Sequence, residues 1–303
     1  MVGSGKSKRY LALAAVLSWG AAAQAAPLPD RIGHSDPSRY RDAAKVHNGA
    51  GQMKFAELLG AGALSTNLIF VHRGVIAPKS GIGEHFHHQC EEMFVILDGD
   101  AEFTIDGHTS LVPGPAAVPD RMGHAHGLYN PGDRPLQWLN INVGTTKSYD
   151  AFNLDDPRVG VARDPIPQFV SVRLDRSLLR PAPTMNGGRG TMLYRRVLEP
   201  SVFNTTWSFV DHLVLPAGSA TGRNADPGMS EVYYVISGQG EIDVDGETAP
   251  IRAGDAAPVD LGQAHAIRQS GEAPLELMVI GVAKDLAAKA TYAAQAAAAR
   301  QRR

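Results

Sequence analysis

The feature of this sequence that most constrains its fold is a repeat with a constant offset of 139 residues and no gap. The matched positions are turn residues, acidic residues and one histidine: Glu92/Glu231, Gly99/Gly238, Glu102/Glu241, Asp106-Gly107/Asp245-Gly246, Pro119/Pro258, Gly123/Gly262 and His126/His265. Each pair is weak on its own, but a common offset for all of them is hard to obtain by chance. A chain of 303 residues is long enough for two such units, each with its own core.

Within the first unit, short apolar runs alternate with turn signals. The run from Glu92 to Leu97 is followed by Asp98-Gly99, and the run from Ala101 to Ile105 is followed by Asp106-Gly107. An Asp-Gly pair between two such runs is typical of a tight turn joining antiparallel strands. The sequence therefore predicts an all-β fold made of two tandem units.

Three histidines and a glutamate in the first unit form a candidate metal site. Residues i and i+2 of a strand project to the same face, so His85 and His87 can point at one centre. Glu92 follows on the next predicted strand, and His126 comes later, after a Pro and Gly-rich turn. Imidazole and carboxylate together suit a divalent transition metal: Mn, Fe, Ni or Cu, with Zn also open. We therefore predict His85, His87, Glu92 and His126 as metal ligands.

The second unit differs at the same positions. His85 and His87 correspond to Asn224 and Asp226, which offer oxygen in place of imidazole. With Glu231 and His265, they could hold a harder cation such as Mg, Ca or Mn. The alternative, which the loss of both imidazoles favours, is a second unit that binds no metal and supports the first.

Two spaced motifs resemble those of the cupin superfamily. They are His85-x-His87-x4-Glu92-x6-Gly99 and Pro119-x3-Gly123-x2-His126-x3-Asn130. The family's first motif has a glycine six residues before the first histidine, and this chain has Lys79 there. The resemblance covers about residues 65–143 and 205–283, and it identifies the chain as a bicupin similar to quercetinases and oxalate decarboxylases. It implies two double-stranded β-helix or jelly-roll barrels, with the metal inside a barrel.

The sequence predicts five segments. They are a signal peptide at 1–25, an N-terminal cupin domain at 26–150, a linker at 151–195, a C-terminal cupin domain at 196–283 and a helical tail at 284–303. The signal is predicted from basic residues up to Arg9, an apolar stretch from Tyr10 to Ala23 and a small-x-small site at Ala23-Gln24-Ala25. An uncleaved anchor or a disordered tail is the alternative. Cleavage would place the protein in a periplasm or outside the cell, with no membrane attachment.

Composition limits the partners. The formal net charge is −2 and no basic stripe appears outside the two termini, so a nucleic-acid partner has no electrostatic support. Cys90 is the single cysteine, so no internal disulfide can form. A small-molecule substrate is the expected partner. Exposed sheet edges commonly drive association, so a homo-oligomer remains open.

Three functions fit this pattern. The first is a metal-dependent dioxygenase that uses the N-terminal centre, with Glu92 both as ligand and as a catalytic proton acceptor. The second is an oxalate-type decarboxylase or oxidase. It would need a cationic clamp for carboxylates, whereas the approach to the histidines, from Ser80 to Glu84, contains no arginine and adds a negative charge; Arg121 could come from elsewhere. The third is a sugar isomerase, or a binding module without turnover.

Overall fold

The computed structural model describes residues 26–301, so the predicted signal peptide lies outside the described residues. The N-terminal barrel and the segment that follows it contain twelve strands: β1 Arg41–Ala44, β2 Gln52–Leu59, β3 Leu68–Ile76, β4 Ser80–Phe86, β5 Cys90–Ile96, β6 Asp100–Ile105, β7 His108–Pro113, β8 Ala116–Asp120, β9 His126–Asn130, β10 Leu136–Gly144, β11 Phe152–Asn153 and β12 Val172–Arg173. The C-terminal barrel contains β13 Arg180–Pro183, β14 Thr191–Leu198, β15 Trp207–Leu215, β16 Met229–Ser237, β17 Gln239–Val244, β18 Glu247–Arg252, β19 Ala256–Val259, β20 His265–Ser270 and β21 Leu275–Ala283. The helices are α1 Leu28–Arg31 and α2 Leu286–Gln301.

Each barrel consists of two facing antiparallel sheets. The first has the strand orders β1-β2-β3-β10-β5-β8-β12 and β11-β4-β9-β6-β7. The second has the orders β13-β14-β15-β21-β16-β19 and β18-β17-β20. The prediction of an all-β chain with two tandem barrels and one C-terminal helix is therefore confirmed.

The sequence repeat is also a repeat of structure. Strands β13, β14, β15 and β21 begin 139 residues after β1, β2, β3 and β10. Strand β4, which carries His85, is the exception, because its counterpart in the second barrel forms only isolated bridges, from Ala220 to Arg268 and from Asn224 to His265. The second copy therefore lacks, as a strand, the element that carries His85 and leads to His87.

The turn before β4 explains the departure at Lys79. Its φ is +53°, in the left-handed region that glycine adopts without steric cost. In the second copy the corresponding residue is Gly218, with φ +74°. The backbone geometry of the turn is therefore kept in both barrels, while only the second has the residue that this geometry favours.

The two barrels share a core and exchange arms. The largest apolar cluster contains side chains of both barrels, including Val71, Leu139, Trp207 and Met278. Gly33, near the N-terminus, pairs with Ala256 in β19, and Val172 pairs with Ala117 in β8. These two contacts are again one repeat apart. The segment preceding each barrel therefore adds to a sheet of the other barrel.

These contacts bear on the segments assigned from the sequence. Leu28, in the range assigned to the N-terminal domain, is fully buried in the core of the C-terminal barrel. Strand β13 and half of β14 lie in the range assigned to the linker and belong to the main sheet of the second barrel.

The C-terminal helix is held by polar contacts as well as by packing. Nζ of Lys289 donates to the carbonyl oxygens of Phe203 and Thr205, at 2.6 and 2.7 Å. Thr205 in turn donates, through its amide and its hydroxyl, to the buried carboxylate of Glu91 in the first barrel. The helix, the second barrel and the first barrel are therefore joined at one buried point. Within residues 26–301, no helix is both long and apolar enough to cross a bilayer.

Candidate metal centre

The four predicted ligands meet inside the N-terminal barrel. His85 lies on β4, His87 just beyond its end, Glu92 on β5 and His126 on β9. The Nε2 atoms of the three histidines lie 3.9, 3.6 and 3.4 Å from Oε2 of Glu92, in that order. All four side chains are at most 1% exposed, and their nearest ligand atoms lie within 4.8 Å of one another. Side chains distant in the chain therefore converge on one point.

The pairing of strands explains this convergence. His85 pairs directly with His126 across β4 and β9, after an irregularity in register between Ile82 and His85. Glu92 pairs with Asn142 across β5 and β10. The carboxylate therefore comes from one sheet of the barrel, and at least two of the imidazoles come from the sheet that faces it.

The ring orientation of each histidine is fixed through its other nitrogen. Nδ1 of His85 contacts the carbonyl oxygen of Gly83 at 2.9 Å, Nδ1 of His126 contacts that of His124 at 3.2 Å, and Nδ1 of His87 contacts that of Asp150. A proton on Nδ1 leaves each Nε2 lone pair directed at the cluster, as in metal-binding histidines. The Nε2 atoms of His85 and His87 are buried and have no hydrogen-bond partner. Since buried polar atoms are rarely left unpaired, this donor set fits a bound divalent transition metal.

The second oxygen of Glu92 is held by two amides that the sequence analysis did not single out. Nδ2 of Asn140 and Nδ2 of Asn142 donate to Oε1 at 3.3 and 3.1 Å. The corresponding residues of the second barrel are Val279 and Gly281. A comparison of the two copies could have revealed them, because both amides are lost together with the histidine pair.

The electrostatics of the cluster fit a site for a cation. Burial alone would raise the pKa of Glu92, but the neighbouring histidines, His87 foremost, hold it well below its usual range. Burial lowers the pKa of His85 to about 4 and also lowers that of His126. Burial would lower the pKa of His87 as well, but the Glu92 carboxylate outweighs it and raises that pKa to about 11. Glu92 is thus ionised and His85 and His126 are neutral, as ligation requires, whereas His87 would release a proton when a metal binds.

A cavity of about 350 Å³ opens onto His85 and Glu92. Its wall is largely aromatic, formed by Phe55, Phe70, Phe94, Trp138 and Tyr149. None of the described residues that line it is an arginine or a lysine. Arg121 is exposed and lies elsewhere, while Glu84 is buried and paired with Arg158 at 3.7 Å. The cavity therefore provides no cationic clamp for a dicarboxylate.

His47 is a pocket residue that the sequence analysis missed. Its ring stacks on that of His85, with centroids 3.7 Å apart and planes 7° from parallel. Its backbone is left-handed, with φ +50°, and its ring contacts Oδ1 of Asn153 at 2.7 Å and the hydroxyl of Tyr149 at 3.2 Å. These three residues come from segments with no periodic pattern, so no local signal placed them at the site.

The predicted second-unit set does not converge in the same way. Glu231 and His265 meet, with 3.2 Å between Oε2 and Nε2, but Oδ1 of Asp226 caps a turn by accepting from the amide of Gly228. Among residues 26–301, the groups of three or more His, Cys, Asp and Glu side chains close enough to share an ion both contain His87. One is the cluster above, and the other joins His87 to Cys90 and Asp150.

Similarity to known proteins agrees with this architecture. Residues 72–142 and 211–281 each match the family described as "Cupin domain", and the two matches are again offset by 139 residues. The "Oxalate-binding protein" of Thermotoga maritima is 30% identical over 96 residues, which cover 32% of this chain and 79% of that protein. The chain belongs to the cupin family. The resemblance drawn from the two motifs is thereby confirmed.

Solved structures extend the likeness to both barrels of this bicupin. Oxalate decarboxylase from Bacillus subtilis superposes with a TM-score of 0.57 at 17% identity, covering 84% of this chain and 76% of that one. Salicylate 1,2-dioxygenase from Pseudoaminobacter salicylatoxidans gives 0.58 at 18% identity, covering 75% and 73%. At these identities the likeness establishes the shared fold, and the reaction has to be argued from the site.

Proposed function

We propose that this bicupin is a metal-dependent dioxygenase that acts on a small, flat, hydroxylated molecule at the N-terminal centre. The observation that carries the proposal is an aromatic cavity without a lysine or an arginine, opening directly onto a buried three-histidine, one-glutamate donor set. Its volume of about 350 Å³ lies near the lower end for ligand sites, which favours a substrate about the size of one or two rings. The named activity of the salicylate dioxygenase neighbour also supports an aromatic substrate.

Different residues would bind the metal and the substrate. His85, His87, Glu92 and His126 would hold the metal, which when bound supplies the redox chemistry that lets dioxygen react with an organic molecule. The aromatic wall excludes water and stacks on a planar substrate. The hydroxyl of Tyr149, which contacts Nε2 of His47, lines the cavity and can accept a hydrogen bond from a substrate hydroxyl.

The proton-acceptor role of Glu92 remains a prediction. Its low pKa makes the carboxylate a weak base, and both of its oxygens face donors or the imidazole cluster. Exchange to glutamine keeps the shape and removes the charge. Metal content and turnover of Glu92→Gln therefore separate the two roles: a base alone would lose turnover with the metal retained, whereas a ligand would lose both.

Oxalate chemistry is the second candidate, because a relative is named as an oxalate-binding protein and a structural neighbour as oxalate decarboxylase. The lack of a lysine or an arginine in the cavity weighs against it, since a carboxylate that does not reach the metal would enter an apolar space without a partner. A location in the periplasm or outside the cell is likewise a proposal, resting on the basic and apolar N-terminal residues.

One experiment distinguishes a dioxygenase from an oxalate decarboxylase. The full chain is purified, its metal content is measured, and oxygen uptake is followed with catechols, salicylate and an enediol, with carbon dioxide release from oxalate assayed in parallel. We expect about one redox-active metal per chain and oxygen uptake with an aromatic compound. Oxygen-independent carbon dioxide release from oxalate would favour the decarboxylase. Zinc alone, with no turnover of any compound, would refute both candidates and favour a binding module or an isomerase.

A further inference from the structure

The C-terminal barrel contains a second cavity, of about 220 Å³, around the counterparts of the metal ligands. Glu231 and His265 occupy the positions of Glu92 and His126. Tyr233 occupies the position of Phe94, and its hydroxyl donates to Oε2 of Glu231 at 2.6 Å and lies 2.8 Å from Nε2 of His265.

This hydroxyl is a further chemical difference between the two centres, besides the lost histidine pair and the two lost amides. The Phe94 ring lies 5.5 Å from the His126 ring at 64°, and the Tyr233 ring lies 5.5 Å from the His265 ring at 56°. The rings therefore sit alike, and the added oxygen reaches the space between the carboxylate and the imidazole. In the second barrel a phenol links two groups that in the first are arranged to share a metal.

The cavity is polar where that of the first barrel is aromatic. The side-chain amides of Asn186, which is exposed, and Asn224, which is half-buried, line it, and within the described part of the chain neither makes a hydrogen bond. Its two carboxylates are already balanced, Glu231 by His265 and Asp211 by Arg196. An anion would meet carboxylates there, a cation would find them already paired, and an apolar molecule would leave the half-buried amide of Asn224 without a partner.

Hydroxyl groups, which both donate and accept, match what remains. Each unpaired amide offers donors and an acceptor, and the Glu231 carboxylate has an oxygen beyond the one bound to Tyr233. At roughly 30 Å³ per water, the cavity holds about seven water-sized groups. That is about the number of heavy atoms in a tetritol.

We infer that the C-terminal barrel is a second, metal-independent binding site for a small neutral polyol or aldose, recognised by Asn224, Asn186 and the linked Glu231–Tyr233–His265 group. It is separate from the oxygenase centre in residues and in chemistry. The dioxygenase proposal and the polyol-site proposal can therefore be refuted independently of each other.

The test is calorimetric titration of the full chain, dialysed against a chelator, with erythritol and with D-xylose as probes. We expect saturable binding of at least one of them, unchanged when metal is restored. Catechol and oxalate serve as comparison ligands, and neither should compete with the bound polyol. The absence of saturable binding for both polyols would overturn the inference, whatever the result of the oxygen assay.

Variants place the site. Asn224→Leu removes one amide and should weaken polyol binding about tenfold, because a buried hydroxyl then lacks a partner. Tyr233→Phe should also weaken it about tenfold, because it removes the hydroxyl that links Glu231 to His265 and orients the carboxylate. Asn140→Leu is the matched control in the first cavity and should leave polyol binding unchanged. A thermal unfolding midpoint verifies that each variant is folded. Loss of polyol binding in Asn140→Leu alone would locate the polyol in the N-terminal barrel and contradict the inference.

Discussion

The sharpest test of the asymmetry between the barrels is a matched pair of substitutions, His126→Ala and His265→Ala. The two histidines stand 139 residues apart at the same position of β9 and β20, and both are buried. Each substitution therefore removes an imidazole from an equivalent place and leaves a similar cavity. Only His126, however, points its Nε2 at a set of further metal donors.

The magnitude follows from the number of ligands. Loss of a group that merely orients a ligand costs about 10–100-fold in metal affinity, so we expect loss of one of four ligands to cost at least about 100-fold. At a metal concentration about 100 times the wild-type Kd, bound metal stabilises the fold by about 2.7 kcal/mol. After a 100-fold loss of affinity this falls to about 0.4 kcal/mol. At about 2.1 cal/mol/K of unfolding entropy per residue, the difference corresponds to about 4 °C in Tm for a chain of this size.

The assay is the rise in Tm on adding Mn²⁺ or Fe²⁺ anaerobically to chelated protein, together with metal content. Using the rise, rather than Tm itself, cancels the effect of the cavity, because each variant is compared with itself. We expect the rise to vanish in His126→Ala and in His87→Ala and to persist in His265→Ala. Equal loss in the variants of both barrels would mean that the second barrel binds metal as well, and our account of the two centres would be wrong.

Three further predictions address the same architecture. Phe94→Tyr should place a hydroxyl between the carboxylate and imidazole of the first barrel and reduce metal content to well under one equivalent, and unchanged content would contradict the role given to Tyr233. Gly218→Ala should lower the free energy of unfolding in urea by about 1–2 kcal/mol, because φ is +74° there; an added Cβ would meet no neighbouring atom, so the cost comes from the backbone alone. Lys79→Gly should leave the free energy of unfolding unchanged or raise it slightly, and equal losses in the two variants would refute the strain argument. Burial opposes ionisation of Glu276, yet a histidine and an arginine lower its pKa to about 2, so stability should fall as the pH drops from 4.5 toward 2, and Glu276→Gln should flatten this dependence of Tm.

What the sequence predicted rests on local geometry. Strand period and Asp-Gly turns are properties of a few neighbouring residues, and the constant offset shows that they recur as one unit. The four donors were predictable because the i, i+2 spacing of His85 and His87 already fixes a common face. The motif resemblance then connected Glu92 and His126 to that face, and the structure brings all four together.

What the sequence did not reveal depends on contacts between distant segments. His47 reaches the cavity because a left-handed turn carries it there and Tyr149 and Asn153, about a hundred residues later, hold its ring. The exchanged arms at Gly33 and Val172 are too short to show a period. Tyr233 is an ordinary strand residue in the sequence, and it becomes informative only when its hydroxyl is seen beside Glu231.

The two centres join the two sheets of their barrels by different chemistry. In each barrel the glutamate comes from the larger sheet and the histidine from the smaller one, so whatever joins the pair also joins the sheets. In the C-terminal barrel the Tyr233 hydroxyl makes that link with two hydrogen bonds, and the strand corresponding to β4 is reduced to bridges. In the N-terminal barrel the equivalent residue is Phe94, which has no hydroxyl, and His85 and His126 remain paired across an intact β4. A metal there would connect the sheets as well as serve catalysis, so metal removal should loosen the first barrel and leave the second unaffected. Hydrogen exchange of β9 and β20 amides, with and without chelator, would reveal that difference directly, and equal protection changes in the two strands would argue against it.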